Sequence, residues 1–182
     1  MDFNLDIDIK RRSEMVNNES DEDRPSGPIA YEDLSRRDIR SLIFHLLYAM
    51  DAYEYSISLE TAIDDFNRGF DIEIPFDSEV ARITQSVIDE RQALDELVKP
   101  LLINWRFERI GLCTKLILRL ALWELLYTDT PASIVINEAI ELAKCFSETD
   151  AYKFVNGILD EVVKIQEKKE NKTKKDSSEV DK

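Results

Sequence analysis

Three arginines and two aromatic residues near the start of the first apolar repeat form the set best suited to chemistry in this sequence. They are Arg36, Arg37, Arg40, Phe44 and Tyr48, within LSRRDIRSLIFHLLYAM. Projected onto a helix at about 100° per residue, the five fall within an arc of about 120°. Guanidinium groups contact phosphates and flat rings stack on unpaired bases. This face is therefore a candidate surface for single-stranded RNA.

The same pattern has an interpretation without RNA. The arginines can pair with nearby acids, and the rings can fill gaps between helices; the pattern alone favours this second interpretation. Asp38 projects about 200° from Arg36, away from the basic face, and the apolar stripe centres near about 300°. The basic face and the core-facing side are therefore separate sides of one helix.

The helix that carries these residues has a clear predicted beginning. Ser35 is a good N-cap, and apolar residues follow it at i, i+3, i+4 and i+7 as far as Met50. A second helix is predicted from Ser58 to Phe66, before Gly69. Both helices have one apolar side, so each is expected to bury that side in a core.

A third helix is predicted to start after Asp77 or Ser78 and to break before Pro100. The next stretch, 111–128, reads GLCTKLILRLALWELLYT and is apolar on almost every side. A helix with this pattern is usually buried at the centre of a fold.

Two more helices are predicted near the end of the apolar region. Pro131 suits the first turn of the helix containing INEAIELAK, where a missing N–H does no harm. Thr149 or Asp150 can cap the last helix. Strand alternation is hard to find, so the fold class is all-α, a single compact bundle of about six or seven helices.

Two asparagines lie inside good helical stretches, although asparagine is a poor helix former. We predict that Asn137 and Asn156 are buried amides that bond to backbone in adjoining turns and fix how the last helices meet. Gly157 is predicted to permit a close approach between helices. All three are therefore interpreted as structural residues.

The sequence offers little for catalysis. His45 is the only histidine, which disfavours metal sites with several imidazoles and a Ser-His-Asp triad; it is interpreted as a partly exposed helix residue. No glycine-rich phosphate loop occurs, and no pair of carboxylates stands out. We therefore expect no enzyme activity, no catalytic residue, no metal and no cofactor.

Composition limits the compartment and the partners. Cys113 and Cys145 lie among apolar helical neighbours, so both are expected to be buried, unreactive thiols. No apolar run reaches the roughly 20 residues that cross a bilayer, and MDFNLDIDIK does not resemble a signal peptide. A cytoplasmic protein without a membrane partner is predicted. The net charge of −14 disfavours strong unaided binding to nucleic acid and favours a basic partner.

Three regions differ in composition. Residues 1–33 have a net charge of −6 and no sustained helical period, so they are predicted to be a disordered acidic arm. Residues 164–182 have a net charge of +2 and are predicted to be a frayed helix end or a disordered tail. The folded domain is therefore 34–163, with a net charge of −10.

The stretch 116–162 carries an ordered set of residues that resembles the NusB family of transcription antitermination factors. Weaker similarity covers SRRDIRSLIFHLLYAMD and LDELVKPLL, so the resemblance spans roughly 35–163. The matching residues are Arg119, Glu124, Pro131, Ile136, Asn137, Glu138, Ala139, Glu141, Leu142, Ala143, Lys144, Lys153, Phe154, Val155, Asn156, Gly157 and Leu159.

The resemblance implies an all-helical adaptor. In that family NusB pairs with NusE, a small ribosomal protein, and the pair binds the single-stranded boxA element of nascent ribosomal RNA. The complex travels with RNA polymerase and suppresses early termination. The family's arginine-rich start of the first helix matches Arg36, Arg37 and Arg40, and its nearby tyrosine matches Tyr48. Asp150 and Phe154 match residues that lie toward the RNA and partner surface.

Three positions depart from the family pattern. A family member can carry an arginine where this chain has Asp38, a tyrosine where it has Leu101, and an RNA-contacting acid where it has Thr114. These departures and the acidic charge support an alternative, a protein-only docking module for NusE with weakened or lost RNA binding. Self-association as a homodimer and an RNA-cytosine methyltransferase related through a NusB-like domain are further alternatives. The acidic arm can also cover the arginine face by mimicking RNA.

Overall fold

The computed structural model describes residues 30–70, 72–102 and 106–179; for 170 and 172–179 it describes the helical backbone alone. The described residues contain no β-strand, which confirms the all-α fold class and the predicted number of helices. The helices are α1 (Arg36–Ala52), α2 (Leu59–Gly69), α3 (Glu79–Asp89), α4 (Arg91–Val98), α5 (Leu112–Tyr127), α6 (Ala132–Phe146) and α7 (Ala151–Glu179). Most of the predicted acidic arm, 1–29, lies outside the described residues.

The chain divides into two compact units, one ending at Thr84 and the other beginning at Gln85, a boundary that falls within α3. The first unit contains α1 and α2, and the second contains α4 to α7.

Helix α1 of the first unit begins with a reciprocal capping box. The Ser35 hydroxyl accepts from the backbone N–H of Asp38 at 3.2 Å, and the Asp38 carboxylate accepts from the N–H of Ser35 at 3.0 Å. The prediction of Ser35 as N-cap is confirmed. Asp38 thus satisfies a backbone donor at the helix start, where a negative charge is also favourable.

The segment after α2 is held by one asparagine side chain. Helix α2 begins behind the N-cap Ser58, whose hydroxyl accepts from the N–H of Thr61 at 3.2 Å. Within its last turn, the Asn67 amide donates to the carbonyl of Ile74 at 3.0 Å and accepts from the N–H of Ile74 at 2.9 Å. These two hydrogen bonds between the side chain and the backbone fix the path of the chain toward α3.

Helix α5 is the central element of the second unit. Helices α4, α6 and α7 all pack against it. Its apolar residues are nearly all buried, from Leu116 to Trp123, because the helix is apolar on every side. The prediction of a buried central helix is confirmed for its middle turns, whereas Leu126 and Tyr127 in the last turn are exposed.

Arg119 is one of three charged residues on α5, with Lys115 and Glu124. Its guanidinium donates to both carboxylate oxygens of Asp95 on α4 at 2.8 Å, and the two side chains are only 12% and 15% exposed. Trp123 donates its indole N–H to the hydroxyl of Ser86 at 2.8 Å. These polar contacts connect α5 to the preceding helical segment.

Some helix boundaries differ from the sequence prediction. The third predicted helix breaks at Glu90 rather than just before Pro100, because Glu90 has φ −87° and ψ 1°. Of the two proposed caps for α3, Ser78 is the one whose hydroxyl accepts a backbone N–H, from Ala81 at 3.2 Å. Pro131 precedes α6 instead of lying in its first turn, because its ψ of 133° is extended.

Helix α7 is 29 residues long and continues to Glu179. It therefore includes most of 164–182, the segment expected to be a frayed helix end or disordered. Charged side chains spaced one turn apart favour helix continuation, and Lys164 lies 3.7 Å from Glu161 in such a pair. Among the described residues, no helix is long and apolar enough to cross a membrane.

Candidate nucleic-acid interface

Arg36 lies at the first position of α1 and is paired with an acid of the same unit. Its Nη1 atom lies 2.9 Å from both carboxylate oxygens of Glu79, at the first position of α3. The Arg36 side chain nevertheless remains 75% exposed. The pairing of one arginine with a nearby acid agrees with the interpretation without RNA, while the exposure leaves the guanidinium within reach of a ligand.

Arg37, Arg40 and Tyr48 are half-buried on α1. Each takes part in further interactions within the protein. The helix therefore holds two guanidinium groups and a phenol ring near its surface, with part of each side chain accessible to solvent.

Phe44 does not belong to this surface. The side chain has no exposed area and packs in the core, with its ring edge-on to His45 at 5.5 Å between centroids. The prediction of Phe44 as an RNA contact is therefore corrected, because a base cannot stack on a ring that has no accessible face.

His45 is also more buried than expected, at 7% exposure. Its Nδ1 lies 2.6 Å from the carbonyl of Ser41, one turn earlier. A carbonyl only accepts, so Nδ1 carries the proton and donates. The interpretation of His45 as a partly exposed residue is corrected: it is a core residue with a backbone partner.

Asp150 lies in the second unit, directly before α7. Its φ of 68° is in the left-handed region, which turns the chain between α6 and α7. The carboxylate is 61% exposed and lies 2.9 Å from the Lys153 amine. This hydrogen bond raises the pKa of Lys153. Asp150 thus combines an accessible carboxylate with a strained turn conformation.

Phe154 is half-buried between two cavities of the second unit. The first has a volume of about 400 Å³ and is also lined by Arg109, Thr114, Glu148 and Asp150. The second has a volume of about 580 Å³ and is lined chiefly by apolar groups, namely Pro100, Leu101, Leu102, Gly157 and Ile158, together with Glu161. One ring therefore borders two recesses that open to solvent, and the first of them also contains Asp150.

Residue 114 is a threonine and not an acid, but the carboxylate of Glu148 lies beside it. Thr114 is 2% exposed, and its hydroxyl lies 3.3 Å from a carboxylate oxygen of Glu148. The sequence reasoning missed Glu148, which is 34 positions away. No local pattern could have indicated this contact, because it depends on how the α6–α7 turn meets the start of α5.

The structural interpretation of three residues is corrected. Asn137 is exposed on α6, so it is not a buried amide. Asn156 is half-buried, and its amide donates to the Asp160 carboxylate at 3.1 Å rather than to backbone. A Cβ added to Gly157 would meet no atom within 4 Å, so this glycine does not permit a close approach within the protein.

The two cysteines lie in different environments. Cys145 is exposed, which corrects the expectation that it is buried, and Cys113 is half-buried. Burial raises the pKa of the Cys113 thiol, and the negative charge of Glu148 raises it further. Within the described residues, no group of three or more His, Cys, Asp or Glu side chains could hold a metal ion.

The chain matches the model of the NusB family over residues 37–164. It is 38% identical over 129 residues to the transcription antitermination protein NusB of Staphylococcus epidermidis, covering 71% of this chain and 98% of that relative. It is 36% identical over 132 residues to the protein of the same name from Macrococcus caseolyticus, covering 72% of this chain and 98% of the relative.

Solved structures share the fold. NusB of T. maritima superposes with a TM-score of 0.61 at 28% identity, covering 72% of this chain and 92% of that one. A chain from a structure of the antitermination factors NusB and NusE in complex with dsRNA has a TM-score of 0.55 at 21% identity, covering 71% of this chain and 96% of that one. From the family model and the relatives together, the chain belongs to the NusB family.

Proposed function

We propose that this protein is a transcription antitermination factor that binds RNA together with NusE. The RNA is the single-stranded boxA element of nascent ribosomal RNA, and binding supports processive transcription of that RNA. The protein acts as an adaptor rather than an enzyme. It joins the transcribing RNA polymerase indirectly, through the RNA and its partner.

Two comparisons support the proposal. Relatives that the chain matches over nearly their whole length are named transcription antitermination proteins. A structural neighbour was solved with NusE and double-stranded RNA. Because that RNA is a duplex, the proposal for a single strand needs a direct comparison of the two RNA forms.

The arginine cluster at the start of α1 is the observation that carries the RNA role. Arg36 exposes three quarters of its side chain, and Arg37 and Arg40 expose part of theirs. Tyr48 lies further along the same helix and offers a ring for base stacking. Asp150 and Phe154 are proposed as a second contact region, in the second unit.

The acidic charge of the chain sets the conditions for binding. A net charge of −14 repels phosphate at long range, so we propose that basic NusE strengthens RNA capture at physiological salt. If the three arginines neutralise three phosphates, the logarithm of the affinity should fall with the logarithm of salt at a slope of about −2.

A titration tests this proposal. Labelled boxA RNA, as a single strand and as a duplex, is titrated with the protein alone and with NusE. Reversing one charge, as Arg37→Glu or Arg40→Glu, should weaken single-strand binding and reduce the salt slope by about 0.7. Arg82→Glu is the matched control, since Arg82 is an exposed arginine of α3. Failure of the wild-type protein to bind RNA with or without NusE would exclude the RNA role.

A protein-only docking module for NusE is the second candidate function. The pairing of Arg36 with Glu79 and the net charge of −14 favour it, because both reduce the attraction for phosphate. If the protein is only a docking module, two results are expected. The wild-type protein captures no RNA, and NusE still binds the charge-reversed variants. A homodimer that covers the RNA surface is a further proposal, and sedimentation with and without RNA tests it.

A further inference from the structure

Gly111, directly before α5, leaves a space that a carboxylate fills. A Cβ on residue 111 would lie 2.0 Å from one carboxylate oxygen of Glu148 and 2.8 Å from the other. Any other residue at this position would therefore have to push the Glu148 carboxylate away. Helix α5 has no side-chain N-cap, so a negative charge near its first turn is electrostatically favourable.

Thr114 holds the same carboxylate from another side. Its hydroxyl lies 3.3 Å from Oε2 of Glu148, to which it can only donate, and 3.2 Å from the hydroxyl of Ser147. Thr114 is almost fully buried, so it anchors the carboxylate to the core, although the Glu148 side chain is itself exposed. A carboxylate has about four acceptor positions, and the anchor uses one of them. Glu148 therefore keeps acceptor positions for a ligand.

The held carboxylate lines the cavity of about 400 Å³ that also contains Phe154 and Arg109. This volume admits one nucleobase. Phe154 supplies a flat ring, and stacking of a base on an aromatic side chain contributes about 1–3 kcal/mol. Arg109 is exposed and supplies a cation for the phosphate of the same nucleotide.

The charges in this cavity select which part of a nucleotide enters. Glu148 and Asp150 repel a phosphate but accept hydrogen bonds from N–H groups. Asp150 is paired with Lys153 at 2.9 Å, which leaves Glu148 as the stronger acceptor. Guanine presents two adjacent donors on its Watson–Crick edge, N1–H and the 2-amino group. Adenine and cytosine present one amino group there, and uracil presents one imino N–H.

We propose that Glu148 is a specificity-determining residue, which accepts two hydrogen bonds from a guanine base stacked on Phe154. This inference rests on the proposed RNA-binding function and adds a base preference to it. The space at Gly111 and the hydroxyl of Thr114 hold the carboxylate ready for this contact.

Octaribonucleotides of uridine with one central guanosine, inosine, adenosine, cytidine or uridine test the preference by fluorescence anisotropy. The wild-type chain should bind the guanosine strand about tenfold more tightly than the uridine strand, with inosine in between because it lacks the 2-amino group. Equal affinity for all five strands would overturn the inference and leave RNA binding itself intact.

Two variants test the residue. Glu148→Gln replaces one carboxylate oxygen, an acceptor, with an NH2 group, a donor. Gly111→Ala moves the Glu148 carboxylate but leaves its negative charge. The displaced atoms are the end of a flexible side chain, so the fold should tolerate the alanine, and circular dichroism checks this. Both variants should reduce the guanosine preference to less than about twofold. Glu161→Gln, in the other cavity beside Phe154, should keep it.

Mononucleotides separate this inference from the proposed function. In amide NMR spectra, guanosine monophosphate should shift the signals of Gly111, Thr114 and Phe154 more than uridine monophosphate does. If this holds while long RNA does not bind, the base site stands and the proposed function fails. If neither nucleotide shifts these signals, or if both do so equally, Glu148 is not a guanine acceptor.

Discussion

The guanidinium of Arg36 contacts both carboxylate oxygens of Glu79 at 2.9 Å, although the two residues are 43 positions apart. An incoming phosphate must compete with this carboxylate for the same donor. Exposed ion pairs are worth up to about 1 kcal/mol. The pair is therefore weak enough for a ligand to replace.

Glu79→Gln should strengthen RNA binding by up to about fivefold, because it removes the competing charge from Arg36. The measurement is RNA titration at low and physiological salt. Glu73→Gln is the control, since Glu73 is also an exposed acid of the first unit. An equal gain in the control would mean that net charge, rather than the Arg36 contact, controls affinity.

Arg119→Met should lower the free energy of unfolding by about 3–5 kcal/mol, because it leaves the Asp95 carboxylate buried without its partner. Combining it with Asp95→Leu should recover most of the loss. Urea denaturation measures both. Arg68→Met, at an exposed ion pair with Asp64, should cost less than about 1 kcal/mol. Similar losses of unfolding free energy in Arg119→Met and Arg68→Met would show that burial does not set the cost of breaking these ion pairs.

Asn67→Ala should cost about 1–3 kcal/mol, because it removes two part-buried hydrogen bonds to the backbone of Ile74. Asn137→Ala should instead raise stability by a few tenths of a kcal/mol, because alanine is the better helix former at an exposed position. Thermal and urea unfolding of the two variants compare them directly. Destabilisation by Asn137→Ala would indicate a contact that exposure alone does not reveal.

Gly157→Ala should stabilise the protein by about 0.5–1 kcal/mol. The residue lies inside α7, a Cβ there meets open space, and glycine lowers helix stability by this amount relative to alanine. Gly69→Ala is the matched control, also in open space but at the last residue of α2, and should have a smaller effect. Urea unfolding midpoints report the result, and a loss of stability at Gly157 would contradict the open space.

Cys145 should react with iodoacetamide faster than Cys113, because it is exposed while burial raises the pKa of the Cys113 thiol. Glu148→Gln should accelerate the reaction of Cys113, because removal of a negative charge lowers the pKa of that thiol. The acceleration should be modest, since burial is the larger cause. Peptide mass spectrometry over time at pH 8 follows both sites. An unchanged alkylation rate of Cys113 in Glu148→Gln would show that the Glu148 charge does not act on this thiol.

Local patterns predicted the helices well. Ser35 was predicted as a cap and Ser78 as one of two candidates, because the hydroxyl and the N–H that it accepts are only three residues apart. The apolar surface of 111–128 indicated burial without any knowledge of its neighbours. The ends of helices were harder to predict, since no proline or glycine marks the end of α3 at Asp89.

The candidate site was predicted less completely. Arg36, Arg37 and Arg40 were found from their spacing on one helix face, but Phe44 was assigned to that face and is a core residue. A helical projection gives the direction of a side chain and not what covers it. Two asparagines were expected to bond to backbone, yet that role belongs to Asn67, because only folding brings Ile74 to its side chain.

The sequence by itself determined the fold class, several helix starts and the arginines on one face of α1, because these depend on residues within a few turns of one another. Only the tertiary structure decided that Glu79 meets Arg36 and that Glu148 fills the space at Gly111 beside Thr114. Such contacts join residues 34 to 43 positions apart. Their geometry depends on how turns and helices pack, which no local spacing encodes.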